Sequence, residues 1–204
     1  SKGKSLLRVN HLHQDAINSS LQDKISKIIE SVIQDVDLLV FSDFNYGCLP
    51  QLLVDKLIKL ANANNVMLAA DSQSSSQIGD ISRFRGVNLI TPTEREARIS
   101  SRNHEDGLVV LAQQLKKLSS TDYIFLKMGE ERMLIYSGDT NANEILTDTI
   151  SALNTSPRDV AGAGDSLLIS GALTMTAGGS IWEAALIGSL AAAIQVGRGG
   201  NTSL

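Results

Sequence analysis

The sequence predicts an α/β domain built on a mostly parallel sheet. Short apolar runs alternate with amphipathic segments along the chain, and most of those runs are continuous rather than alternating. Strands that alternate with helices form βαβ units, whose sheet is covered on both sides. A continuous apolar run is the mark of a strand buried on both faces. The 204 residues are enough for one domain with a sizeable core.

Taken in order, residues 6–9 read as a short strand. A helix follows over 21–33, from the spacing of Leu21, Ile25, Ile28, Ile29 and Val32. The run 38–41 is a buried strand, and 52–61 a helix that follows Pro50, a residue favoured in a first helical turn. Buried strands are expected at 66–70 and 87–90, a helix over 108–118 and a strand over 123–127. Residues 133–136 then return as a hairpin across Gly129, Glu130 and Glu131. Two helices close the chain, over 163–175 and 181–196, separated by Ala177, Gly178 and Gly179. There is no internal repeat, low-complexity tract or linker.

Composition excludes several classes. Hydrophobic residues make up 43% and charged residues 20%, so the chain is neither disordered nor membrane-like. No apolar run approaches a bilayer span, and the first residues lack a basic-then-apolar signal profile. A net charge of -4 opposes a nucleic-acid partner, because a polyanion needs a basic face. Cys48 is the single cysteine, which excludes an internal disulfide and a Cys-based zinc site. It reads as a small apolar residue near a loop, in keeping with a reducing, cytoplasmic setting. His11, His13 and His104 have no metal-like spacing and read as surface residues.

In a parallel sheet the ligand lies beyond the carboxyl ends of the strands. Polar and glycine residues gather at five such places: 42–47; Asp71, Ser72 and Gln73; Thr91, Pro92 and Thr93; Met128, Gly129 and Glu130; and 159–165. The last is the most informative. Asp159 and Val160 lead into Ala161, Gly162, Ala163, Gly164 and Asp165, just before a long apolar helix. Small or absent side chains let backbone amides approach a ligand, and a helix N-terminus favours an anion. Asp165 falls in the first turn, where a carboxylate can take a proton from an attacking hydroxyl while the amides stabilise a phosphoryl group. On these residues alone a second reading stays open: small residues that only let the helix pack closely, with Asp165 stabilising its first turn.

The run 159–165 resembles the C-terminal signature of the ribokinase-like (PfkB) carbohydrate kinases. Phe41, Ser42, Asp43 and Phe44, then Ala69, Ala70 and Asp71, then Leu89 through Glu96, and an ending from Val196 to Thr202 follow in the same family order. The chain is similar to the kinase half of the bifunctional heptose-phosphate kinase/adenylyltransferases. The resemblance implies a ribokinase-like three-layer sandwich, N-terminally truncated. It implies a single domain over 1–204 that holds the nucleotide-binding and catalytic part, with 4–10 as the last lid strand.

It also implies ATP and Mg2+ as cofactors and a sugar or sugar phosphate as acceptor. Asp165 would be the base, and Ala161, Gly162, Ala163 and Gly164 the anion hole. Lys127, Gly129, Gly197, Gly200 and Asn201 would lie along the nucleotide, Asp43 and Asp71 along the substrate. Glu96 would organise the metal through water. Thr93 replaces an Asn of the family's metal motif, Ser72 and Gln73 replace Pro and Lys after Asp71, and Ile169 and Ser170 stand where small residues are common. Structural readings accompany these roles: Asp43 as a cap before Pro50, Asp71 as a cap of the serine-rich loop, Glu96 as a solvated helix residue, Tyr46 as a loop-packing residue and Trp182 as core. Three readings remain: a sugar kinase, a non-catalytic nucleotide-binding module that retains the fold, and a fragment inactive on its own. An uncovered edge and apolar face predict a homo-oligomer.

Overall fold

A computed structural model of the chain describes residues 15–74, 79–129, 132–138, 145–154 and 157–198. The strand expected over 6–9 and the lid assignment of 4–10 lie outside them. Helix α1 (Ser19–Val32) opens at Asn18, whose side chain accepts from the Leu21 amide at 3.0 Å. That cap sets the start two residues ahead of the first apolar position. Strand β1 (Leu38–Asp43) leads to α2 (Gln51–Ala63), with Pro50 as its N-cap. Then come β2 (Met67–Ser72), β3 (Leu89–Ile90), α3 (Glu94–Ser101), α4 (Leu108–Ser119), β4 (Tyr123–Met128), β5 (Arg132–Gly138), β6 (Ile145–Ser151), α5 (Ala163–Thr176) and α6 (Ile181–Val196).

The six strands form one sheet in sequence order. Strands β1 to β4 pair in parallel, while β5 and β6 continue it antiparallel. Side-chain alternation divides the core in two. Phe41, Leu68, Ala70, Ile124, Leu126 and Leu134 face one way, toward the buried sides of α2 and α4, with Ile25 and Ile29 of α1 packed on the same cluster. Ala69, Leu89, Phe125, Met133 and Ile135 face the other way, toward Leu167, Leu168 and Ala172 of α5 and Ala184 and Ala185 of α6. The result is the expected three-layer α/β sandwich.

Three elements depart from the sequence reading. Strand β1 is an edge among the described residues, and Leu38, Leu39 and Val40 are only half-buried. Its apolar run therefore overstates its burial. Strand β6 escaped notice because six of its seven residues are exposed, and Ile150 alone packs on the core. Helix α3 is eight residues long and polar, too short for periodicity to declare it. Its signal was a capping box: Thr93 Oγ1 accepts from the Glu96 amide at 3.2 Å, and Glu96 Oε2 accepts from the Thr93 amide at 2.7 Å.

Helices α5 and α6 approach closely because glycines face their partners. A Cβ on Gly188 would come within 2.9 Å of both the Leu167 carbonyl oxygen and its Cδ1. Gly171, where a Cβ would lie 3.1 Å from the Phe125 ring, lets α5 sit close on the sheet, with its N-terminus near Asp71 and Lys127 at the ends of β2 and β4. Among the described residues no helix is long and apolar enough to cross a membrane.

Candidate active site

Strand alternation decides which polar residues meet. Asp71 has the parity of Ala69 and Lys127 that of Phe125, so both side chains leave the sheet on the α5 side. They stand on β2 and β4, either side of β3. The Lys127 ammonium lies 3.4 Å from each Asp71 carboxylate oxygen. Asp71 is 3% exposed, and the Lys127 side chain 19%. Burial pushes the Asp71 carboxyl above its ordinary value; Lys127 pulls it back, and the negative charge of Glu96 adds to the rise.

The end of β4 is fixed against the segment after β3, where the Lys127 amide donates to the Pro92 carbonyl at 2.8 Å. This places Thr93 beside Lys127. Glu96 is buried rather than solvated. Its Oε1 accepts from the Ser74 amide at 2.9 Å, while its Oε2 closes the α3 cap. The carboxylate thus ties the chain leaving β2 to the start of α3. Each oxygen keeps a lone pair for a water.

The glycine-rich turn is braced from below by α6. The Arg158 amide donates to the Val196 carbonyl at 2.7 Å, and Gln195 Nε2 to the Ala161 carbonyl at 3.3 Å. Asp159 Oδ1 accepts from the Ala161 amide at 3.0 Å. Gly162 then takes φ 78°, a left-handed conformation that a side chain would strain, and serves as the N-cap of α5. Ala163, Gly164 and Asp165 form the first turn; the Ala163 amide donates to the Val160 carbonyl at 3.3 Å, and those of Gly164 and Asp165 have no intrahelical acceptor. A Cβ on Gly164 would lie 3.4 Å from the Lys127 ammonium and 4.0 Å from Asp71 Oδ2. The open face of the cradle and the ion pair are therefore one place.

Two cavities meet there. One, of about 850 Å³, is lined by charged and polar groups including Asp71, Glu96, Arg95 and Arg98. The other, of about 460 Å³, is walled by apolar groups including Ile150, Leu153, Val160, Ala193 and Val196. Thr93, Lys127, Gly129 and Gly164 line both.

Asp165, Asp43 and Gly197 line neither cavity. Asp165 is half-buried. Asp43 has the parity of Phe41 and leaves the sheet on the opposite side from Asp71. Its Oδ2 accepts from Arg83 at 2.6 Å and its Oδ1 from the Asn45 amide at 2.9 Å. Arg83 also donates to the Leu49 carbonyl and lies 4.5 Å over the Phe84 ring. Gly197 ends α6 beside Asn154 and lines neither cavity, although Val196 does. Gly200 and Asn201 fall outside the described residues. Cys48 is exposed, His104 is exposed at the rim of the charged cavity, and Trp182 is half-buried against the core.

Sequence reading missed the Asp71–Lys127 pair, though the parity of β2 and β4 carried it. It also missed Arg83, for which no local pattern exists, and the apolar wall of 150–153 at the end of β6. Among the described residues no group of three or more His, Cys, Asp or Glu is arranged to hold a metal ion.

A three-layer sandwich with a glycine-rich helix N-terminus at the carboxyl ends of its parallel strands is an α/β architecture whose ligand sites lie at that end of the sheet. The model of the pfkB family carbohydrate kinases matches residues 10–204, and the chain belongs to that family. It is similar to the bifunctional protein HldE of Shewanella baltica, 30% identical over 206 residues, covering 100% of this chain and 40% of that protein. The HldE protein of Helicobacter hepaticus is 25% identical over 199 residues, covering 96% and 39%. The chain thus spans about 40% of the length of the curated relatives it matches.

Two solved structures share the fold. Phosphofructokinase-2 from Escherichia coli in complex with potassium superposes with a TM-score of 0.72 at 16% identity, covering 91% of this chain and 59% of that one. Arabidopsis thaliana ribokinase complexed with ribose and ATP gives 0.66 at 14% identity, covering 91% and 55%.

Proposed function

We propose that the chain is the nucleotide-binding and catalytic part of an ATP-dependent kinase that phosphorylates a hydroxyl of a sugar or sugar phosphate. The observation that carries this is the meeting of two unlike cavities at the N-terminus of α5. The apolar cavity suits a nucleoside. The amides of the first turn and Lys127 suit its phosphates. The charged cavity suits a polar acceptor, a sugar or a sugar phosphate such as a heptose phosphate.

Within this reading Asp165 takes the hydroxyl proton as the new bond forms. Its place in the first turn of α5 puts it one residue from Gly164, which lines both cavities. Magnesium would neutralise charge on the phosphates. The residues fit a metal that enters with the nucleotide: Glu96 offers free lone pairs through water, and no direct ligand cluster is needed. Asp71 acts through Lys127, and Asp43, on the far face, is given no part. Gly129 and the end of α6 flank the nucleotide. A cytoplasmic setting accords with ATP as donor, and self-association accords with the apolar outer face of α5 and α6.

Calorimetric titration with a magnesium complex of a nonhydrolysable ATP analogue, joined to a coupled ADP-release assay with sugars and sugar phosphates, tests the proposal. Binding with acceptor-stimulated turnover supports it. Binding without turnover on any acceptor favours a non-catalytic nucleotide-binding module, and neither defeats both. Asp165→Asn should lower turnover at least about a hundred-fold with nucleotide affinity almost unchanged.

A further inference from the structure

We infer that the Lys127 ammonium meets the phosphoryl group being transferred, and so makes the site prefer a nucleoside triphosphate to a diphosphate. The inference rests on the kinase reading and deepens it, since it assigns one cation to one phosphate.

The geometry is that of a held but unsatisfied charge. Lys127 straddles Asp71 at 3.4 Å from both oxygens, longer than the roughly 2.7–2.9 Å of a tight charged pair. An ammonium has three donors, and Lys127 takes no other acceptor among the described residues. The remaining donor is available on the side of Gly164, whose missing Cβ would stand 3.4 Å from Nζ. An anion seated on the first-turn amides of α5 therefore touches Lys127 as well. The lysine side chain is largely enclosed, so its charge there is weakly screened.

Other cations near the cavities are engaged or peripheral. Arg98 is held by Glu94 at 2.8 Å and by the Asn103 and Asp106 carbonyls. Arg95 and Arg132 are exposed. Lys127 is the half-buried cation that lines both cavities.

Lys127 and Gly164 line both cavities, so a nucleoside in the apolar one directs its phosphates toward them. On this inference the outermost phosphate of a triphosphate lies on Lys127, and a diphosphate ends short of it. In the transfer the acceptor oxygen bonds to that phosphorus and the bond to the bridging oxygen of the departing diphosphate breaks. The hydroxyl proton passes to Asp165. Lys127 keeps its proton throughout and balances charge on the moving group.

The test compares ADP with a nonhydrolysable ATP analogue, both with magnesium, by titration of the parent, Lys127→Met and Lys127→Arg. The parent should prefer the triphosphate by about ten-fold or more, the scale of one hydrogen bond to a charged group. Lys127→Met should bring the two affinities within about two-fold of each other, mainly by weakening the triphosphate. Turnover should fall roughly 10²–10³-fold. Arginine should keep most of the preference. Should the methionine variant not fold, Lys127→Gln reads the same ratio. A preference that survives in the methionine or glutamine variant, or an ADP affinity that falls as far as that of the analogue, overturns the role of Lys127 and leaves the kinase reading standing. A parent that binds neither nucleotide brings down both.

Discussion

Asp71 and Lys127 face each other across β3 because β2 and β4 present them with the same parity, and the carboxylate so placed is the more deeply buried partner. Its burial outweighs the lysine, so the folded protein binds the Asp71 proton more tightly than the unfolded chain does. The stability cost of this group is absent below the ordinary carboxylate range and grows as pH rises through the raised folded value.

Asp71→Asn removes that cost. Lys127 loses its partner but borders two cavities, so its ammonium can turn to water rather than remain stranded. Urea denaturation near neutral pH should find the variant no less stable than the parent, with a gain of up to about 1 kcal/mol that closes toward pH ~4. A loss above about 2 kcal/mol at neutral pH would mean that the ion pair, not the burial, dominates.

Arg83 and Asp43 form the other buried pair, and their face of the sheet separates stability from binding. Arg83→Met leaves the Asp43 carboxylate enclosed without its cation and should cost roughly 3–5 kcal/mol. Asp43→Asn keeps an acceptor for the Asn45 amide and should cost less. Neither should move nucleotide or sugar affinity in the temperature range where the protein stays folded. A sugar affinity that drops about ten-fold in Asp43→Asn, with the melting temperature intact, would return Asp43 to the substrate site.

What the sequence disclosed and what it withheld divide along physical lines. The parallel strands β2 and β4 and the helices α2, α4, α5 and α6 were legible because burial writes apolar runs and periodicity into the residues. The glycine-rich turn was legible because Gly162 takes a left-handed backbone that few other residues allow, and Gly164 leaves space beside Lys127. Strand β6, largely exposed, left no such trace. The role of Glu96 hides in a reciprocal bond with Thr93 and a bond to Ser74 twenty-two positions away. Arg83 reaches Asp43 across forty positions, which no local pattern encodes. Facing direction was the recoverable part: counting parity from Phe41 and Ala69 would have set Asp43 and Asp71 on opposite sides.

Glu96→Ala should expose how far the site depends on its carboxylate scaffold. The substitution opens the α3 capping box, worth about 0.5–2 kcal/mol. It also leaves the Ser74 amide without its acceptor, and an unmatched buried donor costs about 1–3 kcal/mol. A total of roughly 2–4 kcal/mol is expected by chemical denaturation, with Glu96→Gln recovering part of it through its remaining carbonyl acceptor. An alanine variant as stable as the parent would show that the two amides find water instead.

The outer surface of α5 and α6 carries Ile169, Leu173, Leu186, Ile187, Leu190 and Ile194, each between 42% and 53% exposed. Both helices are apolar around much of their circumference, and their only charged residues are Asp165 and Glu183, near the helix starts. A helix of that kind is normally covered on more than one side. A second copy of the chain meets no like-charge opposition on this surface. Multi-angle light scattering over a range of concentrations should therefore show association, and Leu190→Glu should shift the protein toward the monomer without lowering its melting temperature. A parent that stays monomeric at high concentration would rule this out.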